Sequence, residues 1–238
     1  MNTIPVFCFP FAGGTEYSYQ RFAKFAPPQL ALKPVPLPGR GRRAPEPLRT
    51  DVHALVDDLL AQLKGELHKP YLFYGHSMGA LLGFLLAKRI VAEALPPPLH
   101  LFVTGCGGPA AENREKDFYK LPRQAFIEAV RKMGGMPPEV LADAFLMDYL
   151  EPILRADFQV TGTYRYEPSP PLPIPITAVV GLKDEVSLAD ALLWQRETTV
   201  PLRVKQFPGD HFFIFDHEIA IIKLLYKSLS QNLISSHE

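Results

Sequence analysis

The sequence predicts a doubly wound α/β domain on a mostly parallel sheet, and three observations carry that expectation. Short apolar runs of strand length alternate with segments of helical periodicity. The runs are near-continuously apolar, the pattern of strands covered on both faces. No stretch repeats with a period of about 20–50 residues, which removes solenoids and propellers.

The candidate strands are Ile4–Phe9, Leu32–Val35, Tyr71–Tyr74, His100–Thr104, Ile176–Val180 and Leu202–Phe207, most of them rich in β-branched or aromatic residues. Between the second and third, Val52, Leu55, Val56, Leu59, Leu60, Leu63 and Leu67 fall on one helical stripe, with Thr50 or Asp51 placed to cap its start. Met78–Ala94 is apolar nearly all round until Lys88-Arg89 and reads as a buried helix. A last helix is expected from about His217 to Leu233, with Ile219, Ile222, Leu225, Tyr226 and Leu229 facing inward.

The alternation breaks once. About 70 residues after Thr104 carry no strand signal, and helical patterns take their place at Pro122–Met133 and Glu139–Tyr149, with Gly134-Gly135 and Pro137-Pro138 between. Apolar residues such as Phe126, Val130, Met133, Leu141, Phe145 and Met147 predict a helical lid insertion, about 110–165, with an oily underside over the carboxyl edge of the sheet. An ordinary two-helix crossover is the simpler alternative. The proline clusters read as stiff connections rather than interdomain linkers, so residues 1–238 read as a single domain.

Composition narrows the function classes. A chain of 238 residues is long enough to bury roughly 70–75% of its unfolded surface. Lys+Arg and Asp+Glu both number 25, and zero net charge argues against nonspecific nucleic-acid binding. No run approaches the roughly 18 apolar residues of a membrane span. The start, MNTIPVFCFPFAGG, lacks the basic region of a secretory signal. Cys8 and Cys106 sit in apolar runs without metal-ligand spacing, so both are expected to be reduced, buried hydrophobes of a cytoplasmic protein rather than a disulfide. With no GxxxxGK[ST] or GxGxxG loop and no metal-ligand cluster, the sequence requires neither cofactor nor metal.

The chemistry-bearing signal is Gly75-His76-Ser77-Met78-Gly79, set between a strand and a helix: a nucleophile elbow. A tight, strained turn projects the Ser77 hydroxyl above the sheet edge, and the glycines remove Cβ atoms where strand and helix cross. A serine hydroxyl needs a base and a group that orients it. Among seven histidines, His211 follows the last strand and the turn Pro208-Gly209-Asp210, at the carboxyl end where the base belongs. His76 is expected to point away from Ser77, and His217 to fall in the final helix. Asp184, just after Ile176–Val180, is the favoured acid; Glu185, Asp190 and the more distant Asp157 are its rivals. For an oxyanion hole, the Met78 N–H supplies one donor and the loop Phe9–Gly14 the other, assigned to Ala12 with Phe11 as runner-up.

These residues lie within motifs that make the chain resemble the stand-alone type II thioesterases associated with nonribosomal peptide and polyketide synthases. The motifs are FPFAGG (9–14), LPGRGRR (37–43), GHSMGA (75–80), LRADFQVTGTY (154–164), GLKDEV (181–186) and FPGDHFFIF (207–215). The resemblance implies an α/β-hydrolase fold with a mobile helical lid, Ser77, Asp184 and His211 as triad, and Ala12 and Met78 as the oxyanion hole. It also implies hydrolysis of acyl groups from the phosphopantetheine arm of a carrier protein. Members often carry histidine or tyrosine where Phe11 stands, and glycine where Asp210 stands. A carboxylester or acyl-CoA hydrolase acting on free small molecules, and a noncatalytic binding member of the fold, are the competing readings.

Overall fold

Six parallel strands in the order β2-β1-β3-β4-β5-β6 form the centre of the computed structural model, which describes residues 3–112 and 116–234, the last five by backbone alone. The strands are β1 Ile4–Phe9, β2 Leu30–Pro34, β3 Leu72–His76, β4 Leu101–Thr104, β5 Ile176–Gly181 and β6 Arg203–Phe207. Each coincides with an expected run to within two residues at either end, and β1 does so without any shift. The helices are α1 Gln20–Ala23, α2 Val52–Leu63, α3 Met78–Ala92, α4 Arg123–Met133, α5 Pro138–Ala142, α6 Ala144–Thr163, α7 Leu188–Leu192 and α8 Glu218–Ile234. None of the described helices is long and apolar enough to cross a membrane.

Alternate strand residues feed two cores, which is why the runs read as continuously apolar. Phe7, Phe9 and Phe73 pack with α2 and α3, while Val6, Cys8, Leu72 and Tyr74 pack with Phe22 of α1 and with α8. The buried stripe of α8 runs through Ile221, Ile222, Leu225 and Leu229. Ile219 and Tyr226, expected to face inward, sit on its flank and are exposed.

The chain passes from β1 out to the edge strand β2 and returns as β3 on the other side of β1. That reversal opens a crevice at the carboxyl ends of β1 and β3, where ligands bind in open α/β sheets. The α4–α6 insertion lies between β4 and β5 and has a small core of its own, in which Phe126, Val130, Leu141, Met147, Leu154 and Phe158 pack together and against Ala12.

The insertion corrects one expectation. The helix expected at Glu139–Tyr149 is two helices: α5 ends at Ala142, and the Asp143 carboxylate then caps α6 by accepting from Phe145 N–H (2.9 Å) and Leu146 N–H (3.0 Å). α6 continues through Pro152 to Thr163. A proline removes one helical N–H and reads as a stop, but burial of Ile153, Leu154, Phe158 and Val160 beyond it carries the helix on.

Candidate active site

The elbow is built by packing. Ser77 stands between β3 and α3 at φ 52°, ψ −120°, a region costly for a residue with a Cβ, and its N–H donates to Thr104 O at 2.8 Å. A Cβ on Gly75 would lie 2.2 Å from the Gly79 carbonyl, and one on Gly79 would lie 2.1 Å from Phe9 O. Both glycines are therefore demanded by the crossing of α3 over β3 and β1.

The loops after β5 and β6 are tied together. Leu182 N–H donates to Phe207 O and Lys183 N–H to Gly209 O, both at 2.8 Å. This brings His211 Nδ1 to 3.0 Å from Asp184 Oδ1, which also accepts Val186 N–H at 3.2 Å. The Asp184 side chain is 1% exposed and that of His211 11%. A carboxylate accepting from Nδ1–H fixes the tautomer that leaves Nε2 basic.

Ser77 and His211 together line two cavities. One is bounded by Met78, Gly105–Pro109, Tyr164 and Val186. The other lies under the insertion, among Ala12, Val130, Met133, Met136 and Phe212. Ala12 sits in a turn closed by Gly14 N–H donating to Phe11 O at 2.8 Å. Met78 is the first residue of α3, so its N–H has no acceptor within the helix. Two amides of the kind that hold an oxyanion thus border cavities shared with Ser77.

The rival acids are engaged elsewhere. Asp190 accepts Ser187 N–H in the capping box of α7. Glu185 is exposed at the mouth of the first cavity. Asp157 is fully buried and paired with Arg40. Of the other histidines, His217 precedes α8 and its Nε2 bonds Pro208 O (2.8 Å) rather than lying within the helix. His53 belongs to α2, and His237 lies outside the described residues. His76 is buried, with Nδ1 3.1 Å from Thr104 Oγ1 and its ring 4.9 Å from that of His211. Burial first, and then the neighbouring imidazole, push its pKa well below the ordinary histidine value.

Three features escaped the reading of side chains one at a time. Cys106, expected to be fully buried, is half-buried and lines the first cavity. Phe11 meets the rings of Tyr19, His76, Phe212 and Phe215, so an aromatic at that position braces both the elbow and the base loop. Arg40 stood only inside a motif and Asp157 only as a distant rival acid; no charge pattern announced that they would meet across 117 positions.

The sequence model of the Thioesterase domain family matches residues 4–229. The gramicidin S biosynthesis protein GrsT of Aneurinibacillus migulanus is 36% identical over 225 residues, covering 94% of this chain and 88% of that protein. Among solved structures, ClbQ from the colibactin NRPS/PKS pathway superposes with a TM-score of 0.92 at 28% identity, over 98% of this chain and all of that one. BorB, the type II thioesterase from the borrelidin biosynthetic cluster, does so with a TM-score of 0.87 at 30% identity, over 95% and 93% of the two chains.

Proposed function

This chain belongs to the thioesterase family, whose members hydrolyse thioesters, and from that premise we propose that it releases acyl or aminoacyl groups from the phosphopantetheine arm of carrier-protein domains in a nonribosomal peptide or polyketide synthase. The single observation behind the catalytic part is His211, held by Asp184 at 3.0 Å and lining two cavities together with Ser77. The carrier-protein setting is supported by the pathways named for GrsT, ClbQ and BorB.

In this reading the Ser77 hydroxyl attacks the thioester carbonyl carbon while His211 Nε2 takes its proton. The carbonyl oxygen becomes an oxyanion held by the Ala12 and Met78 amides. The C–S bond then breaks, the pantetheine sulfur leaves with the proton from His211, and the acyl group stays on Ser77. A water deprotonated by His211 attacks that ester; Ser77 regains its proton and the carboxylic acid departs. Asp184 holds the imidazole and stabilises its cation without taking the proton. No step calls for a metal or a cofactor. A thioester has two limbs, and the two cavities meeting at Ser77 can seat one each.

The test compares an acyl-loaded carrier protein with the same acyl group on free pantetheine. We expect kcat/KM at least tenfold higher on the carrier. Equal values would remove the carrier partner and favour a hydrolase of free acyl-CoA or ester molecules.

A further inference from the structure

We propose that Arg40 and Asp157 are a positioning pair that sets the oxyanion loop, so that the base of the helical insertion holds the Ala12 amide where the tetrahedral oxygen forms. This rests on the reading that Ser77 is the nucleophile and Ala12 an oxyanion donor.

The pair is wholly buried: the Arg40 side chain is 1% exposed and that of Asp157 0%. Arg40 Nη2 donates to Asp157 Oδ1 at 2.7 Å, and Nη1 donates to Oδ2. Such a pair is not by itself a stability device, because apolar residues of similar volume often serve as well. What distinguishes this one is its third donor. Gly13 N–H, from the residue after Ala12, donates to Asp157 Oδ2 at 2.8 Å.

That bond acts on the part of the loop that can move. Phe11–Gly14 is a four-residue turn, closed by Gly14 N–H to Phe11 O, with Gly13 at φ +75°. Positive φ at the third residue is the mark of a type II turn, and its central peptide, here Ala12–Gly13, is the unit that flips between type I and type II. A carboxylate accepting Gly13 N–H holds that peptide in one orientation; the Ala12 N–H belongs to the preceding Phe11–Ala12 peptide, so the clamp acts on it through the ψ angle of Ala12 that joins the two.

α6 grips the same residue a second time, since a Cβ on Gly13 would lie 2.6 Å from Leu154 Cδ2, one helical turn before Asp157. Arg40 is anchored from its own side. Gly39 N–H donates to Arg43 O at 3.0 Å, and Arg42 N–H donates to the buried Glu16 carboxylate at 2.8 Å, which seats the 39–43 loop beneath the 11–16 loop. Burial pushes the Asp157 carboxyl above the ordinary carboxylate range, while Arg40 and the Gly13 amide pull against that push.

The experiment uses Asp157→Asn, which weakens the clamp, and Arg40→Met/Asp157→Leu, which removes both charges and strands neither, in case the single variant fails to fold. Steady-state hydrolysis of an acyl-pantetheine is read alongside the affinity of an alkylboronic acid, whose serine adduct places an oxygen in the oxyanion hole. Active sites are counted by the endpoint of fluorophosphonate labelling. We expect kcat per active site to fall roughly 10–100-fold with KM within about threefold, and boronate affinity to weaken in step with kcat/KM. A folded variant with kcat within threefold of wild type would overturn the proposal, as would lost kcat with unchanged boronate affinity, which is the signature of a merely structural role. Ser77→Ala is the control: if it remained active, the reading of the site would fail, whereas wild-type-like clamp variants beside an inactive Ser77→Ala would strike this proposal alone.

Discussion

The imidazole of His76 lies against that of His211, ring centroids 4.9 Å apart and planes inclined at 48°. The residue beside Ser77, the proposed nucleophile, thus underlies the proposed base. His76 reaches this place because β3 and β6 end at the same rim, and because Gly105, whose Cβ would stand 2.3 Å from the ring, leaves it room. A cation here would oppose the imidazolium of the proposed His211 base, so a neutral His76 suits the proposed chemistry.

Stability should fall in mild acid. Burial and His211 hold His76 well below its ordinary pKa, and burial, with a smaller push from Arg203, takes His100 down to about 3. The unfolded chain protonates both near pH 6.5 while the folded one does not. Their contribution is therefore fully present above about 6.5 and is lost as pH falls below it. Between pH 7.5 and 5.5 each histidine should remove about 1.4 kcal/mol, or about 3 kcal/mol together. Urea unfolding at the two pH values checks this. His100→Gln should show roughly half the loss, and an unchanged unfolding midpoint in the wild type would contradict the account.

Asp184→Asn should keep the fold and lose kcat by about 10³–10⁴-fold, because an asparagine lets His211 adopt the wrong tautomer. KM for an acyl-pantetheine should move little. Steady-state kinetics decide it, and activity near wild type would shift the acid to another side chain.

Gly135→Ala should alter acyl-chain preference. Gly135 sits at φ +78° at the tip between α4 and α5, and a Cβ there would lie 2.3 Å from the ring of Phe212, next to His211. Either that ring moves or the tip lifts, and both reshape the wall of the cavity under the insertion. The ratio of kcat/KM for a hexanoyl over an acetyl thioester should change at least about threefold, with kcat for the acetyl substrate less affected. An unchanged ratio would place the acyl chain in the other cavity.

Much of this was legible in the sequence. The six strands were, because a buried parallel strand is a short apolar run whatever its neighbours are. The elbow was legible because its glycines answer a local crossing, and Asp184 and His211 because each follows a strand end closely. Long-range pairing was not. Asp157 looked like a rival acid, since nothing near it in the chain reveals that Arg40, on the far side of β1, neutralises it. The length of α6 was hidden by Pro152, whose local effect is outweighed by tertiary burial. The inward face of α8 was misjudged at Ile219 and Tyr226, which periodicity alone does not separate from Ile222 and Leu225.

The central claim is that Ser77, activated by His211, carries the acyl group. Its most direct test is rapid-quench intact-mass spectrometry of the enzyme mixed with a slowly deacylating acyl thioester, followed by peptide mapping. The wild type should gain one acyl mass on the peptide containing Ser77, and Ser77→Ala should fold, gain none and hydrolyse at least about 10³-fold more slowly. An acyl mass on a different residue, or a Ser77→Ala protein that turns over at the wild-type rate, would contradict the account.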